Sequence, residues 1–155
     1  DITTIVFNNN IYGMTGGQYS PTTNTNDLAT TAPFGNIDKP FDICDLAIGA
    51  GATFVARSTA YHAKQTIEYI KKGISNKGFS LIEGMSLCPT YYGRKNKKGS
   101  AAQLMNMLKD NYVDVALKDK LPAEKLENKM FYGVFKNTTM PEYTEEYEKI
   151  INKFK

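Results

Sequence analysis

Three asparagines in a row, Asn8, Asn9 and Asn10, follow the apolar run Ile2–Phe7, and Gly13, Gly16 and Gly17 come soon after with polar residues between them. Carboxamide oxygens are neutral, hard donors. They suit a cation such as Mg2+, which usually shares its shell with substrate or cofactor phosphates. Glycine lets a backbone take shapes and make approaches that a Cβ forbids. A loop of this make-up after a strand is either a plain polar turn or a seat for phosphate and its counter-ion. It is not a P-loop, because no Gly-Lys-Ser/Thr follows the glycines, and it is not the dinucleotide fingerprint GxGxxG.

Other residues with chemical potential are sparse. Cys88 precedes a proline in a loop, where a lone cysteine is commonly a small buried hydrophobe, and a cubane iron–sulfur cluster needs four thiolates. Cys44 falls on the apolar face of a short helix and reads as core. His62 is the single histidine. It cannot build a multi-histidine metal site, and it reads as a helix or core residue or a local hydrogen-bond partner. Ser58 and Ser80 have no triad context. Arg57, at the end of a strand, meets either an anion in the crevice or a structural ion pair. Arg94, Lys95, Lys97 and Lys98 form the densest basic run. It is a solvated loop or a surface for docking an acidic partner. It lacks the stripe and the aromatic platform of a nucleic-acid reader.

The elements that must position these residues follow from periodicity. Ile2–Phe7 is too short for a helix and reads as a buried strand, central in its sheet. Residues 18–41 hold Pro21, Pro33, Gly35 and Pro40 among many Thr and Asn residues. They form a long structured loop, which is either a surface linker or a cover over a ligand or partner contact. Asp42 caps a helix over Ile43–Gly49. Thr53–Ala56 is a strand with Arg57 and Ser58 at its tip. Ala60–Gly73 is an amphipathic helix with Ala63, Ile67 and Ile70 on one face. Phe79–Glu83 is the third strand, and Ser100–Leu108 is helical. Tyr112–Leu117 is a short strand or extended segment, and Leu126–Phe135 ends in an edge strand. Glu142–Phe154 is a last amphipathic helix. Its Tyr143, Tyr147, Ile150, Ile151 and Phe154 would pack on something, such as a partner subunit. Two strand–helix–strand steps predict an α/β fold: a doubly wound, mostly parallel sheet with helices on both faces. In such a sheet ligands sit outside the carboxyl ends of the strands, which brings the asparagine loop and the Cys88 loop together.

Bulk properties agree with one globular domain. The chain has 155 residues, 41% apolar and 23% charged, and 19 basic residues against 16 acidic ones. So mild an excess does not argue for nucleic acid. No apolar run approaches a membrane span, and no secretory signal opens the chain. Two cysteines fit an intracellular, cytoplasmic protein with few or no disulfides.

The residues also carry a likeness. Val6–Thr23, VFNNNIYGMTGGQYSPTT, resembles the thiamine-diphosphate loop of the beta subunit of 2-oxoacid:ferredoxin oxidoreductases, particularly the 2-oxoglutarate branch. GATFVAR (Gly51–Arg57), YHAKQ (Tyr61–Gln65), KGFSLIE (Lys77–Glu83), CPTYYGRKN (Cys88–Asn96) and PEYTEEY (Pro141–Tyr147) extend it over nearly the whole chain. The family motif opens with Gly-Asp-Gly and closes with asparagine, and only the closing half is present. The resemblance therefore implies that residues 1–155 are the C-terminal part of a thiamine-diphosphate-binding domain lacking its N-terminal portion.

Further implications follow from the same resemblance. Asn9 would give Mg2+ its side-chain oxygen and Ile11 its carbonyl. Tyr12, Gly13, Met14 and Thr15 would line the diphosphate and the thiazolium surroundings. Cys88 would be one ligand of a [4Fe–4S] cluster whose other ligands lie outside this sequence. No side chain here need be an acid–base catalyst. The implied reaction is oxidative decarboxylation of a 2-oxoacid with coenzyme A. Its partners would be the alpha subunit and ferredoxin or flavodoxin, with the basic run at residues 94–98 as docking surface. Some family members have a lysine at the position of Gly16, thought to help hold the substrate carboxylate, so this chain must fill that role elsewhere. A non-oxidative thiamine-dependent decarboxylase and a non-catalytic scaffold subunit stay open as alternatives.

Overall fold

Branched and aromatic side chains crowd five short runs, and these become the strands. The computed structural model describes residues 1–155. Its elements in chain order are β1 (Ile2–Asn8), α1 (Ile43–Gly49), β2 (Phe54–Thr59), α2 (Ala63–Ser75), β3 (Phe79–Met85), α3 (Ala101–Asp110), β4 (Tyr112–Asp114), the single turn α4 (Ala123–Leu126), β5 (Met130–Asn137) and α5 (Tyr143–Asn152). A five-residue π-helix, Pro89–Gly93, follows β3.

The five strands form one sheet in the order β1-β3-β2-β5-β4. β3 pairs in parallel with β1 on one side and with β2 on the other. β5 runs antiparallel to β2, with a register shift between Val55 and Ala56, and β4 runs parallel to β5. Side chains alternate across a strand, so each face takes its own helix. On one face Cys44 and Ala47 of α1 pack on Ala52, Val55 and Leu81. On the other, Tyr69 and Ile70 of α2 pack on Phe54, Ala56 and Ile82. The α2 contact is close enough that a Cβ on Gly73 would stand 2.6 Å from the end of Ile82.

The caps show why the helices start where they do. The Asp42 carboxylate accepts the amide of Asp45 at 3.0 Å. Ser100 and Gln103 form a reciprocal capping box at the start of α3. The turn before α2 is closed by the His62 amide on the Thr59 carbonyl, at 2.9 Å. For that reason β2 runs on through Arg57 and Ser58 to Thr59, and α2 begins at Ala63 rather than at Ala60.

Two expectations are corrected. β5 is not an edge strand, because it lies between β2 and β4; an alternating apolar pattern carries no information about which strands flank it. β1 is the edge, paired only with β3, and it is not buried: Phe7 is 75% exposed and Ile2 64%. The apolar stripe of α5, Tyr143, Tyr147, Ile150, Ile151 and Phe154, is exposed in this chain. No helix is long and apolar enough to cross a membrane.

Candidate functional site

β1 and β3 end side by side, with Asn8 level with Met85. The asparagine turn and the Cys88 turn therefore leave the same edge of the sheet. A Cβ placed on Gly13 would stand 3.4 Å from Cys88 Sγ and 3.7 Å from Asn9 Nδ2. The two loops thus meet at Gly13.

The asparagine turn is built from two successive Asx turns. Asn8 Oδ1 accepts the amide of Asn10 at 3.0 Å, and Asn9 Oδ1 accepts the amide of Ile11 at 3.1 Å. Asn10 sits at φ 60°, a left-handed shape that asparagine tolerates better than most residues. Thr23 Oγ donates to the Asn10 carbonyl at 2.7 Å, and Thr22 Oγ donates to Asn8 Oδ1 at 2.8 Å. In this way residues 18–41 grip the turn from one side. Tyr92 holds the same long loop from the other, donating to Asp27 at 2.5 Å, while Asn96 clasps the backbone of Leu28. Burial and the neighbouring Asp27 carboxylate push the Tyr92 hydroxyl well above the ordinary tyrosine range.

Beneath the turn lies a buried charged network. Glu83 is 1% exposed and Arg57 5%. They stand at matched register on β3 and β2. Arg57 Nε donates to Glu83 Oε2 at 2.6 Å, and another guanidinium nitrogen donates to Asp42 Oδ1 at 2.8 Å. Asn8 Nδ2 donates to Glu83 Oε1 at 2.8 Å, which joins the network to the turn. Burial works against ionisation of Asp42. The Arg57 guanidinium and the Asp45 amide outweigh it, and the carboxyl is held below the ordinary range. Burial pushes the nearby Cys44 thiol far up, so it is an inert core group.

Above the turn opens a cleft of about 660 Å³. Its wall includes Asn9, Ile11, Tyr12, Gly13, Met14 and Thr15, together with Phe7, Pro21, Phe41 and Leu46. Several polar groups of these lining residues are unspent. Asn9 Oδ1 accepts a single hydrogen bond and keeps a lone pair. No donor of the chain reaches the Ile11 carbonyl, and the amides of Gly13, Met14 and Thr15 donate to nothing. Two hard oxygens beside consecutive free amides match the needs of a cation and the anionic oxygens it carries.

Cys88 caps the π-helix, and its Sγ accepts the Tyr91 amide at 3.4 Å. Tyr91 in turn packs against Gly17, where a Cβ would stand 2.7 Å from its ring. No three His, Cys, Asp or Glu side chains converge on a metal-binding arrangement, and Cys44 is packed elsewhere in the core. The chain by itself offers an iron–sulfur cluster one thiolate.

Of the remaining residues, His62 is half-buried and stacked on Tyr132 at 4.1 Å, a packing role. Arg57 is spent on its ion pairs rather than on a ligand in the cleft. In the basic run Lys98 pairs with Asp27 at 3.8 Å, while Arg94, Lys95 and Lys97 are exposed. Glu83 went unremarked in the sequence, and Asn8 was noted only as one of three carboxamides and not as a support for the turn. The available signal was an acid in the strand FSLIEGM and a base in FVARST, opposite charges inside otherwise buried strands.

A mostly parallel α/β layer with a cleft at the carboxyl ends of its strands has the layout of domains that bind a ligand beside a sheet. Comparison with known proteins narrows the class. Residues 1–84 match the family described as thiamine pyrophosphate enzyme, C-terminal TPP binding domain, and the chain belongs to that family. The chain is 48% identical, over all 155 residues, to 2-oxoglutarate synthase subunit KorB of Methanocaldococcus jannaschii, covering 57% of it. It is 46% identical over 142 residues to the KorB subunit of Methanothermobacter marburgensis, covering 50% of that protein. The chain thus spans about half the length of the curated relatives it matches. Among solved structures it is similar to 2-oxoglutarate:ferredoxin oxidoreductase from Magnetococcus marinus with 2-oxoglutarate, coenzyme A and succinyl-CoA bound. That match has a TM-score of 0.77 and 27% identity, over 98% of this chain and 52% of the other.

Proposed function

We propose that this chain is part of the beta subunit of a cytoplasmic 2-oxoacid:ferredoxin oxidoreductase, and that the whole enzyme converts 2-oxoglutarate and coenzyme A to succinyl-CoA and CO2 while ferredoxin takes up the electrons. The observation that carries this is the set of unspent polar groups on one cleft wall. The printed names of the relatives and of the solved neighbour support the choice of 2-oxoacid.

Asn9 Oδ1 and the Ile11 carbonyl would hold Mg2+. Tyr12, Gly13, Met14 and Thr15 would line the diphosphate and the ring it carries. Thiamine diphosphate, when bound, supplies the electron sink that lets CO2 leave a 2-oxoacid. The chain's own work is to fix and shelter it. Phe7, Pro21, Phe41 and Leu46 make the cleft wall largely apolar, and a partner subunit closing over it would lower the local dielectric and exclude water. Cys88, beside Gly13, would give one thiolate to a [4Fe–4S] cluster, with the remaining ligands supplied from outside this sequence. The amide of Tyr91 on its sulfur is the kind of contact that tunes a cluster's potential. An alpha subunit would complete the active site. Arg94, Lys95 and Lys97 would steer an acidic ferredoxin or flavodoxin.

The test is Asn9→Ala in the native protein that carries this chain. Losing an oxygen ligand should weaken Mg2+-dependent thiamine-diphosphate retention by about tenfold or more. Wild-type retention in the variant would sink the assignment.

A further inference from the structure

We infer that Glu83 is a positioning residue for the asparagine turn, and that it acts through the carboxamide of Asn8. The inference rests on the cofactor reading of the cleft and adds to it Glu83, which does not line the cleft.

The argument is one of hydrogen-bond polarity. An ionised carboxylate only accepts, whereas a carboxamide presents one accepting end and one donating end. Glu83 is fully buried on β3, and both its oxygens are engaged. Oε2 accepts from Arg57 and Oε1 accepts from Asn8 Nδ2. The Asn8 carboxamide therefore has one allowed orientation: its NH2 faces Glu83, and its oxygen must face the turn. That oxygen accepts both the Asn10 amide and the Thr22 hydroxyl. Reversed, the carboxamide would point an NH2 at the Asn10 N–H and leave two donors facing each other. The left-handed residue Asn10 would lose the bond that holds it, and Asn9 and Ile11 would shift with it.

Two further facts fit. The guanidinium of Arg57, itself tied to Asp42, keeps Glu83 an acceptor. A polar cavity of about 100 Å³ lined by Asn8, Asn10, Thr22, Arg57 and Glu83 gives a misoriented side chain room to move. The turn is thus set by polarity rather than wedged in place by volume.

A polarity swap tests this. Glu83→Gln adds a donor beside Asn8 and permits the reversed carboxamide. Asn8→Asp sets two carboxylates against each other. The double variant Glu83→Gln/Asn8→Asp restores the pattern. Its new carboxamide on β3 accepts from Arg57 and donates to the new carboxylate on β1, which still accepts from Asn10 and Thr22. Two readouts apply to the native protein that carries this chain. One is the apparent KM for thiamine diphosphate at fixed Mg2+ against kcat at saturation. The other is hydrogen exchange over residues 8–24 without cofactor.

Each single variant should raise KM about tenfold or more, the worth of one hydrogen bond to a charged group, with kcat at saturation nearly kept. Each should speed exchange in the turn, and the double variant should recover most of both losses. Should Glu83→Gln fail to fold, Asn8→Asp and the double variant carry the same comparison. Single variants with wild-type KM and exchange overturn the inference, as does a folded double variant no better than the singles. Failure of the cofactor reading looks different. The wild-type protein then retains neither Mg2+ nor thiamine diphosphate, while exchange still follows the swap and upholds the polarity-set turn.

Discussion

The two loops that meet at Gly13 are held by opposite means. The asparagine turn rests on directed polar contacts: Arg57 to Glu83, Glu83 to Asn8, Asn8 to the Asn10 amide and Thr22. The Cys88 turn rests mainly on close packing. Tyr92 is buried with Ile11 and Ala29, Tyr91 covers Gly17, and Leu104 fills the space over Gly93. On the proposed reading, a turn that would offer free oxygens to a cation needs its other lone pairs spent in fixed directions. A turn that must present a sulfur needs a rigid hydrophobic seat. It follows that the first loop is vulnerable to isosteric changes of polarity, and the second to changes of volume.

The sharpest way to break that contrast is Arg57→Leu. It keeps the first carbons of the side chain but removes the guanidinium, with its contact over the Phe135 ring, and leaves Glu83 and Asp42 without their cation. Removing one partner of a buried ion pair costs roughly 3–5 kcal/mol. Chemical denaturation should show a loss of this size. Hydrogen exchange should rise first in the asparagine turn, ahead of the π-helix at Pro89–Gly93. Equal loosening of both loops would mean that they are held alike.

The second loop is probed by Gly17→Ala. Gly17 has φ 82°, and a Cβ there would stand 2.7 Å from a carbon of the Tyr91 ring. Overpacking and the left-handed backbone together should cost about 2–4 kcal/mol. Tyr91→Ala in the same chain should return the steric part and leave the backbone part. No recovery would remove volume as the organising factor.

Acid should act on the polar network through Asp42 at its rim. The Asp42 carboxyl is held low despite partial burial, because Arg57 and the Asp45 amide favour its charged form. A depressed folded value contributes stability above the unfolded value and loses it as pH falls through the folded one. The window therefore lies below about pH 3.9, the ordinary aspartate value. Since Asp42 is partly exposed, the effect should stay below about 1 kcal/mol. Denaturation midpoints of wild type and Asp42→Asn should converge as pH drops through that window. Parallel curves would show that Asp42 does not titrate with the fold.

The contrast also explains what the sequence could disclose. Strand runs and caps are local, so β1, α1, β3 and α3 were legible to within a residue or two, as were Asp42 as a cap and Cys44 as core. The candidate loop could be singled out because its residue types and their spacing sit within a single stretch. The support beneath it was not. Asn8 and Glu83 are 75 positions apart, and only the parallel pairing of β1 with β3 makes them neighbours. For the same reason β5 read as an edge strand. Periodicity reports which face of a strand is buried and says nothing about what pairs with its sides.

The smallest expected effect on the fold comes from the basic run beside the packed loop, and it separates residues that look alike in sequence. Lys98 is half-buried and faces Asp27, the same carboxylate that accepts the Tyr92 hydroxyl, so it belongs to the seat of the Cys88 loop. Arg94, Lys95 and Lys97 are exposed and belong to no ion pair. Replacing those three with glutamine should leave stability within about 0.5 kcal/mol, as for surface changes generally. If they steer an acidic electron acceptor, the rate of its reduction should fall several-fold at low salt, and the difference should fade as ionic strength shortens the Debye length. Lys98→Gln should do the reverse, with a small stability loss and little change in the salt dependence. A rate indifferent to both the triple change and salt would assign the whole run to the solvated surface, and the packed loop would then present its sulfur without help from the charges around it.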